Sequence, residues 1–496
     1  MSLSVALKVA QSALAARQTE SSVIARNVSG AQDPGYSRKS VLLSQTYTDS
    51  GQAGGLKVDG IGRVTDSALY SSLLQSTSTG TSQESVLAGL TRLAETTGDT
   101  ENQMSAAARL GELKLSIQNF ASDPNNAIQA QDVLQSSKTM VNTLQSNSAL
   151  VQDVRADADA DMATSVREIN TLLSQLEDLN SVIVRGTQAG SDVSDALDSR
   201  DQVLLSLSEE IGITTLNRSD GDIVVYTDSG VTLFETTARE VSFEPTVVYG
   251  AATTGNSVTV DGVPVAGPGA VMEIRSGRLH GLAELRDDVA VTYQNQLDEI
   301  ARGLIEAFAE SDQSGGGGPD QAGLFTWTGG PALPAAATLV PGLAAEISIN
   351  ANADPDQGGD LDRLRDGGIS DPLDPDYDYN PSGAAGYSDR LQELVSAFDA
   401  DTVFDGSAEL DPSDSLSGYA ASSVSWLESG RKTMTSNVEV QSVILGRTAE
   451  NLNNKTGVNI DEEMTLLLQI ERSYSAASRL ISAVDAMLED LLAAAR

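Results

Sequence analysis

The sequence predicts an α+β multidomain fold, in which terminal coiled-coil helices and a long-helix bundle stalk made from both chain ends carry a β-rich head inserted in the middle. Apolar residues keep heptad spacing at both extreme ends, the stretch from Asn126 to Val184 has no Gly or Pro, and strand-and-turn patterns occur only in the middle. β material is thus nested between helical flanks, and flanks of one chain that must both bury an apolar stripe meet in a shared stalk. A chain of 496 residues is too long for one ordinary core. The expected division is a terminal coiled-coil domain (1–32 plus 456–496), a helical stalk (33–212, 278–312 and 384–455) and a β-rich head (213–277 plus 313–383).

At the start, Leu3, Leu7, Ala10, Leu14, Ile24 and Val28 share one four-three register, interrupted by Arg17 and Ser21. This reads as an amphipathic helix of roughly 28 residues, about 40 Å long at 1.5 Å per residue. Near the other end Leu467, Ile470, Tyr474, Ala477, Ile481, Val484, Leu488 and Leu491 keep the spacing without a break. Neither helix buries its stripe alone, so each needs a partner, and the nearest is the other terminus. These residues are the candidate assembly interface. A plain bundle helix closing an ordinary domain would carry the same periodicity.

Asp33-Pro34-Gly35-Tyr36 is a turn signal, and the stretch to Gly62 suits an extended or hairpin segment. From Asp66 to about Gly212 the chain is helical, with breaks near Gly98, Pro124 and Gly186 to Gly190. Ile223–Tyr226 and Val231–Phe234 flank a turn, and Val258–Val260 and Val263–Val265 flank Asp261-Gly262, a hairpin signal. Helix returns from about Leu279 to Glu310. A second excursion, 311–383, is rich in Gly, Pro and Asp, with strand-like Leu324–Trp327 and Glu346–Ile349.

Composition excludes several functions. With 70 Asp and Glu against 31 Lys and Arg, the net charge is −39. Without a cationic footprint nucleic acid is not an expected partner, and anionic membranes are disfavoured. No cysteine is present, which removes disulfides, thiolate metal sites and thiol nucleophiles. No stretch of eighteen or more apolar residues occurs, and Met1-Ser2-Leu3-Ser4 lacks the basic and apolar blocks of a cleaved signal. On that evidence alone the expectation is a cytosolic protein.

No catalytic, cofactor or metal site is expected. Gly430-Arg431-Lys432-Thr433 misses the phosphate-loop pattern, and no H-E-x-x-H, G-x-S-x-G or G-x-G-x-x-G motif occurs. The single histidine, His280, opens a helix and reads as a capping or surface residue. Asp374, Asp376, Asp378 and Asn380 alternate as calcium-loop ligands do, but Tyr379 and Ala385 stand where glycine and glutamate are required. Asp157, Asp159 and Asp161 read as a solvent-facing run, and Gly315–Gly318 as a flexible hinge.

Asn27-Val28-Ser29-Gly30-Ala31-Gln32-Asp33-Pro34-Gly35-Tyr36-Ser37-Arg38 resembles the signature N-I-S-N-V-N-T-P-G-Y-S-R that follows the first helix of flagellar axial proteins. Asn27, Ser29, Pro34, Gly35, Tyr36, Ser37 and Arg38 match it; Gly30, Ala31, Gln32 and Asp33 depart from it. Thr456-Gly457-Val458-Asn459-Ile460-Asp461-Glu462-Glu463 is similar to the S-G-V-N-L-D-E-E that opens the terminal helix of that family. In this helix start Asn459 or Asp461 can cap, while Asp461, Glu462 and Glu463 sit near the positive end of the dipole. Leu197–Gln202 before a β unit, and Gly277–Asp287, are similar to the hook-associated members of the family.

The resemblance implies a non-enzymatic structural subunit of the bacterial flagellum at the hook–filament junction. It further implies type III export without a cleaved signal, hence a secreted, extracellular location in place of the cytosolic one. The implied partners are the flagellar hook protein, the second hook–filament junction protein, further copies of the chain in a ring or helical layer, and an export chaperone at the C-terminal helix. A hook or rod axial subunit, or a secreted fibrous surface protein, is the alternative.

Overall fold

A computed structural model describes residues 3–47, 53–98 and 104–494. The fold is α+β, with long helices at both ends and small sheets in the middle. Helix α1 (Leu3–Gly30) leads into an antiparallel hairpin of β1 (Lys39–Tyr47) and β2 (Ala53–Arg63), which pairs Lys39 with Arg63 at its base. The last helix of the chain, Ile460–Ala494, runs along α1. The hairpin, grouped with the stalk by sequence, instead packs along α1, where the Leu56 amide donates to Ser12 Oγ at 3.2 Å.

The stalk is built on α4 (Ala127–Ala189), after α2 (Ser67–Leu93) and α3 (Ala106–Ser122). Its 63 residues span about 95 Å at the usual rise. It contains no Pro and no Gly before Gly186 in its last turn, so nothing interrupts it; Asn126 Oδ1 accepts from the Ile128 amide at one end, and Gly190 at φ 71° terminates the other. Its buried side chains recur at three- and four-residue steps from Val133 through Met140, Leu144, Val151 and Val154 to Ile183, one stripe along the helix. Helix α5 (Ser194–Glu210) folds back on it.

The first excursion is a four-stranded meander of β3 (Ile213–Asn217), β4 (Ile223–Thr227), β5 (Thr232–Glu235) and β6 (Thr237–Ala238). A three-stranded sheet follows, β7 (Val241–Ser242), β8 (Val258–Val260) and β9 (Val263–Ala266). Asp261 and Gly262 both have positive φ, the geometry of the tight hairpin turn their sequence favours. Helix α6 (Arg278–Glu284), one π turn (Leu285–Val289) and α7 (Ala290–Ala307) then return to the stalk. Almost the whole circumference of α7 is buried.

The second excursion is mostly irregular. Its only paired strands among the described residues are β10 (Phe325–Thr326) and β11 (Ser348–Ile349), with short helices α8 (Leu343–Glu346) and α9 (Arg363–Asp366). The expectation of one head from both excursions differs from what is found, because the two pack on consecutive stretches of α4. Asp159, Asn170, Glu177 and Asn180 bind the first excursion, whereas Lys138 and Gln145 bind the second. Buried carboxylates of α7 tie down the rest: Asp298 accepts from the Gly342 and Ala344 amides at 2.8 Å each, and Glu299 from the Asp405 amide at 2.7 Å. Helix α10 (Asp389–Ala397), the pair β12 (Asp401–Val403) and β13 (Ser413–Ser415), α11 (Leu416–Thr456) and α12 (Ile460–Ala494) complete the chain. Helix α11 lies along α2.

Asp159 is a correction. Successive helical residues two apart point to opposite sides, so 157, 159 and 161 do not share a face. Asp157 and Asp161 are exposed, but Asp159 is 1% exposed and binds Arg286 Nη1 at 2.6 Å, the Tyr249 hydroxyl and the Thr246 amide. Asp374, Asp376 and Asp378 do not converge either: Asp374 and Asp378 each accept the amide two residues on.

Candidate assembly interface

The two motif segments, more than 400 positions apart in sequence, meet at the base of the hairpin. Asn27, fully buried near the end of α1, accepts from the Lys39 amide at 3.0 Å and donates to the Lys39 carbonyl at 2.9 Å, fixing β1 against α1. The same side chain accepts from the Tyr36 hydroxyl at 3.0 Å and donates to Glu463 at 3.1 Å. Glu463 is 1% exposed and takes a 2.6 Å ion pair from Arg38 Nε. The Arg38 amide donates to the Thr456 carbonyl at the end of α11, 2.7 Å away. A buried asparagine with every polar atom used, next to a buried ion pair, is costly to disturb and specifies one arrangement of the four segments.

Two glycines sit in close approaches. A Cβ on Gly35 would lie 1.6 Å from Gln202 Nε2 of α5, the movable end of that side chain, and one on Gly30 would lie 2.5 Å from the Tyr36 ring. Gly30, which departs from the flagellar signature, is thus matched to the aromatic residue that lies over it. Pro34 and Ser29 are exposed, and the turn itself is held by Asp33, which accepts from the Gly35 amide at 2.9 Å. Gly457 and Val458 are half-buried in the link, and Asn459 is the cap of α12, accepting from Asp461 and Glu462 at 3.0 and 3.3 Å. Asp461 and Glu462 face solvent near the helix start, where the dipole favours them.

Sequence reasoning missed the cations and carboxylates around this knot. Lys39, 2% exposed, pairs with Asp195 and Asp198 of α5, and its ring-face contact with Tyr36 is 4.0 Å from the centroid. Burial pulls the Lys39 ammonium down, but the two carboxylates outweigh it and hold it above its usual value. The signal that could have found them is the recurrence of Asp at 192, 195, 198 and 201, a spacing that lines one helix face.

The seams face inward. Ile470 and Val484 of α12 are buried, and Leu467, Ala477, Ile481 and Leu488 are half-buried, on the side toward α1. From α1, Ala10 and Ile24 are buried and Leu7, Leu14 and Val28 half-buried. Tyr474 breaks the pattern at 44% exposed. Leu3 and Leu491 lie in the helices, but their side chains fall outside the described residues. These positions thus pair the two chain ends within one molecule. A different set on α12, Met464, Leu468, Leu480 and Met487, remains open to solvent at about half exposure.

Among the described residues no group of three or more His, Asp or Glu is placed to hold a metal ion, and no helix is long and apolar enough to cross a membrane. His280 Nδ1 lies 2.9 Å from Ser82 Oγ on α2, a contact between helices.

The helical-domain model of the flagellar hook-associated protein FlgK matches residues 90–325, and the C-terminal model of the flagellar basal body rod proteins FlgEFG matches residues 452–494. The two matches are both to flagellar axial proteins, and they take in the long helix of the stalk and the C-terminal part of the knot of terminal segments. The Bacillus subtilis flagellar hook-associated protein 1 is 24% identical over 98% of this chain and 97% of its own length. The Escherichia coli protein of that name is 26% identical over 62% of this chain, and the match spans only 56% of the relative's length. The solved hook junction protein FlgK from Burkholderia pseudomallei shares the fold, with a TM-score of 0.55 and 14% identity over 78% of this chain and 99% of that one. The chain is thus similar to the structural flagellar proteins of the hook-associated protein 1 family, over 98% of its length in the Bacillus subtilis comparison.

Proposed function

We propose that this chain is a non-enzymatic structural subunit at the hook–filament junction, exported by the flagellar type III system and placed outside the cell, where it connects hook to filament. The observation that carries the reading is the joining of the two chain ends into one helix pair whose seam lies inside the pair while separate apolar side chains around the outside of α12, Met464, Leu468, Leu480 and Met487, stay open. A pair with a finished inner seam is a preformed unit, and its outer face is free for neighbours. Copies of the chain in a ring or helical layer, the hook protein on one side and the second junction protein on the other are the partners of this reading. The export chaperone covers these open side chains of α12 before assembly. The seam residues act in assembly indirectly, by holding the pair that presents them.

A deletion strain tests the reading directly. It is expected to build hooks, lack filaments and release unassembled flagellin, with antibody to this chain labelling only the hook tip in the wild type. The match of residues 452–494 to rod proteins favours a rod or hook subunit as the second reading, and hookless cells or labelling along the whole hook would establish it. Normal swimming by the deletion strain would instead fit a fibrous surface protein unrelated to motility.

A further inference from the structure

The terminal pair with its hairpin and the stalk meet without sharing a core. The continuous cluster of buried apolar side chains runs from α2 through α11 and both excursions, and includes no residue of α1, β1, β2 or α12. Beside the joint is a cavity of about 440 Å³, lined from one side by Pro34, Tyr36 and Val64 and from the other by Arg200, Leu204 and Thr215.

Charge joins what apolar packing does not. Arg26 of α1 lies 2.8 Å from both Asp192 and Asp195. Lys39 of β1 pairs with Asp195 and lies 3.2 Å from Asp198. Arg63 at the end of β2 is 2.8 Å from both Asp198 and Asp201, and Ser37 also donates to Asp198. Every cation that crosses the joint comes from the terminal unit, and every carboxylate from α5 or the residues just before it; within α5, Arg200 also lies 3.9 Å from Asp201. The two covalent links between the parts run side by side through Arg38: its carbonyl accepts from the Val64 amide at 2.8 Å, and its amide donates to the Thr456 carbonyl at 2.7 Å. Paired links beside a void form a hinge axis, because rotation there breaks little packing.

We propose that the carboxylate row Asp192, Asp195, Asp198 and Asp201 is an orientation lock, which holds the terminal pair and hairpin at one angle to the stalk and, once neutralised, lets them swing as an intact unit. Lys39 supplies the sharpest element, since a fully buried ammonium left without a carboxylate disfavours the docked arrangement. The inference concerns the isolated monomer and goes beyond the assembly reading, so neither result below bears on where the protein sits in the flagellum.

The absence of cysteine allows clean spin labelling at two introduced sites. Labels on Ser478→Cys of α12 and Ser174→Cys of α4, both exposed, report the angle by pulsed electron–electron double resonance. The otherwise unaltered protein is expected to give one narrow distance distribution. Asp195→Asn with Asp198→Asn is expected to broaden it at least twofold with the helical circular dichroism unchanged. An unchanged width in a fully helical double variant overturns the proposal. Should that variant lose helical signal, Arg26→Gln and Arg63→Gln, made separately, leave Lys39 paired and take its place. Broadening in either supports the lock, and unchanged widths in both overturn it.

Discussion

Helices α4 and α12 carry apolar residues at the same alternating spacing, but their surroundings differ. Along α4 the stripe meets α3, α5, α6, α7 and both excursions, so its side chains belong to one continuous core. Along α12 the stripe meets α1 and little else, and the opposite side is solvated. The same periodicity therefore builds a structural axis in one place and a two-helix pair in the other. What decides is how many other elements the chain folds back onto each helix. The expected consequence is local stability, with the stalk unfolding as a unit and the terminal pair opening without it.

The largest expected contrast comes from damaging each stripe in turn. Leu173→Ala removes a side chain with no exposure from the α4 core and is expected to cost about 2–5 kcal/mol of global stability. Ile470→Asp with Val484→Asp buries two unpaired carboxylates between α1 and α12, which separates the pair. Denaturant unfolding of the stalk should keep its midpoint in that double variant, whereas cells carrying it should export flagellin without filaments. A lowered stalk midpoint, or normal swarming, would join the two regions that the structure separates.

A smaller and pH-dependent effect tests how the second excursion is held to the stalk. Burial pushes the Asp298 carboxyl up from 3.8 to about 7, against the opposing pull of the Ala344, Gly342 and Gln294 N–H donors. A carboxyl whose pKa is raised on folding binds more protons in the folded state, so its contribution is complete below about pH 4 and is lost as pH rises through 7. The stability of the wild type relative to Asp298→Asn is therefore expected to fall between pH 5 and pH 8, by an amount on the order of 1–3 kcal/mol. Chemical denaturation of both proteins at the two pH values measures it. A difference that stays flat or rises with pH would mean the carboxyl is ionised throughout.

The parts of the fold that rest on local chemistry were legible in the sequence. Freedom from Gly and Pro from Asn126 to Val184 gave α4 most of its length, Asp261-Gly262 gave a hairpin turn, and heptad spacing gave α12 an inward face. The joint was not legible in the same way. Glu463 reads as one of three acids favoured by a helix dipole, and only the fold turns it alone inward to Arg38 and Asn27. Lys39 reads as a strand residue, and its burial depends on α5, some 156 positions later. Asp159 looked like part of an acidic surface run because the pairing partner, Arg286, enters from a π turn that no periodicity announces. Long-range polar partners carry no local pattern, so sequence spacing alone leaves them unassigned.

The smallest expected effect uses one chemistry at two places. Asn126 caps α4 and Asn459 caps α12, each accepting from the backbone amide two residues on, at 3.1 and 3.0 Å. Replacing either by Ala removes one side-chain acceptor, worth about 1 kcal/mol. In Asn126→Ala the helix that loses its cap is built into the core from Ala130 and Val133 onward, so the loss should register in the global unfolding midpoint. In Asn459→Ala the helix has its own smaller unit, and the loss should register only there. Hydrogen exchange is expected to speed up severalfold at the amides of Asp461, Glu462 and Glu463, with α4 exchange and the global midpoint unchanged. If both substitutions lower the global midpoint equally, the terminal pair shares the cooperative unit of the stalk, and the contrast between α4 and α12 is one of exposure alone.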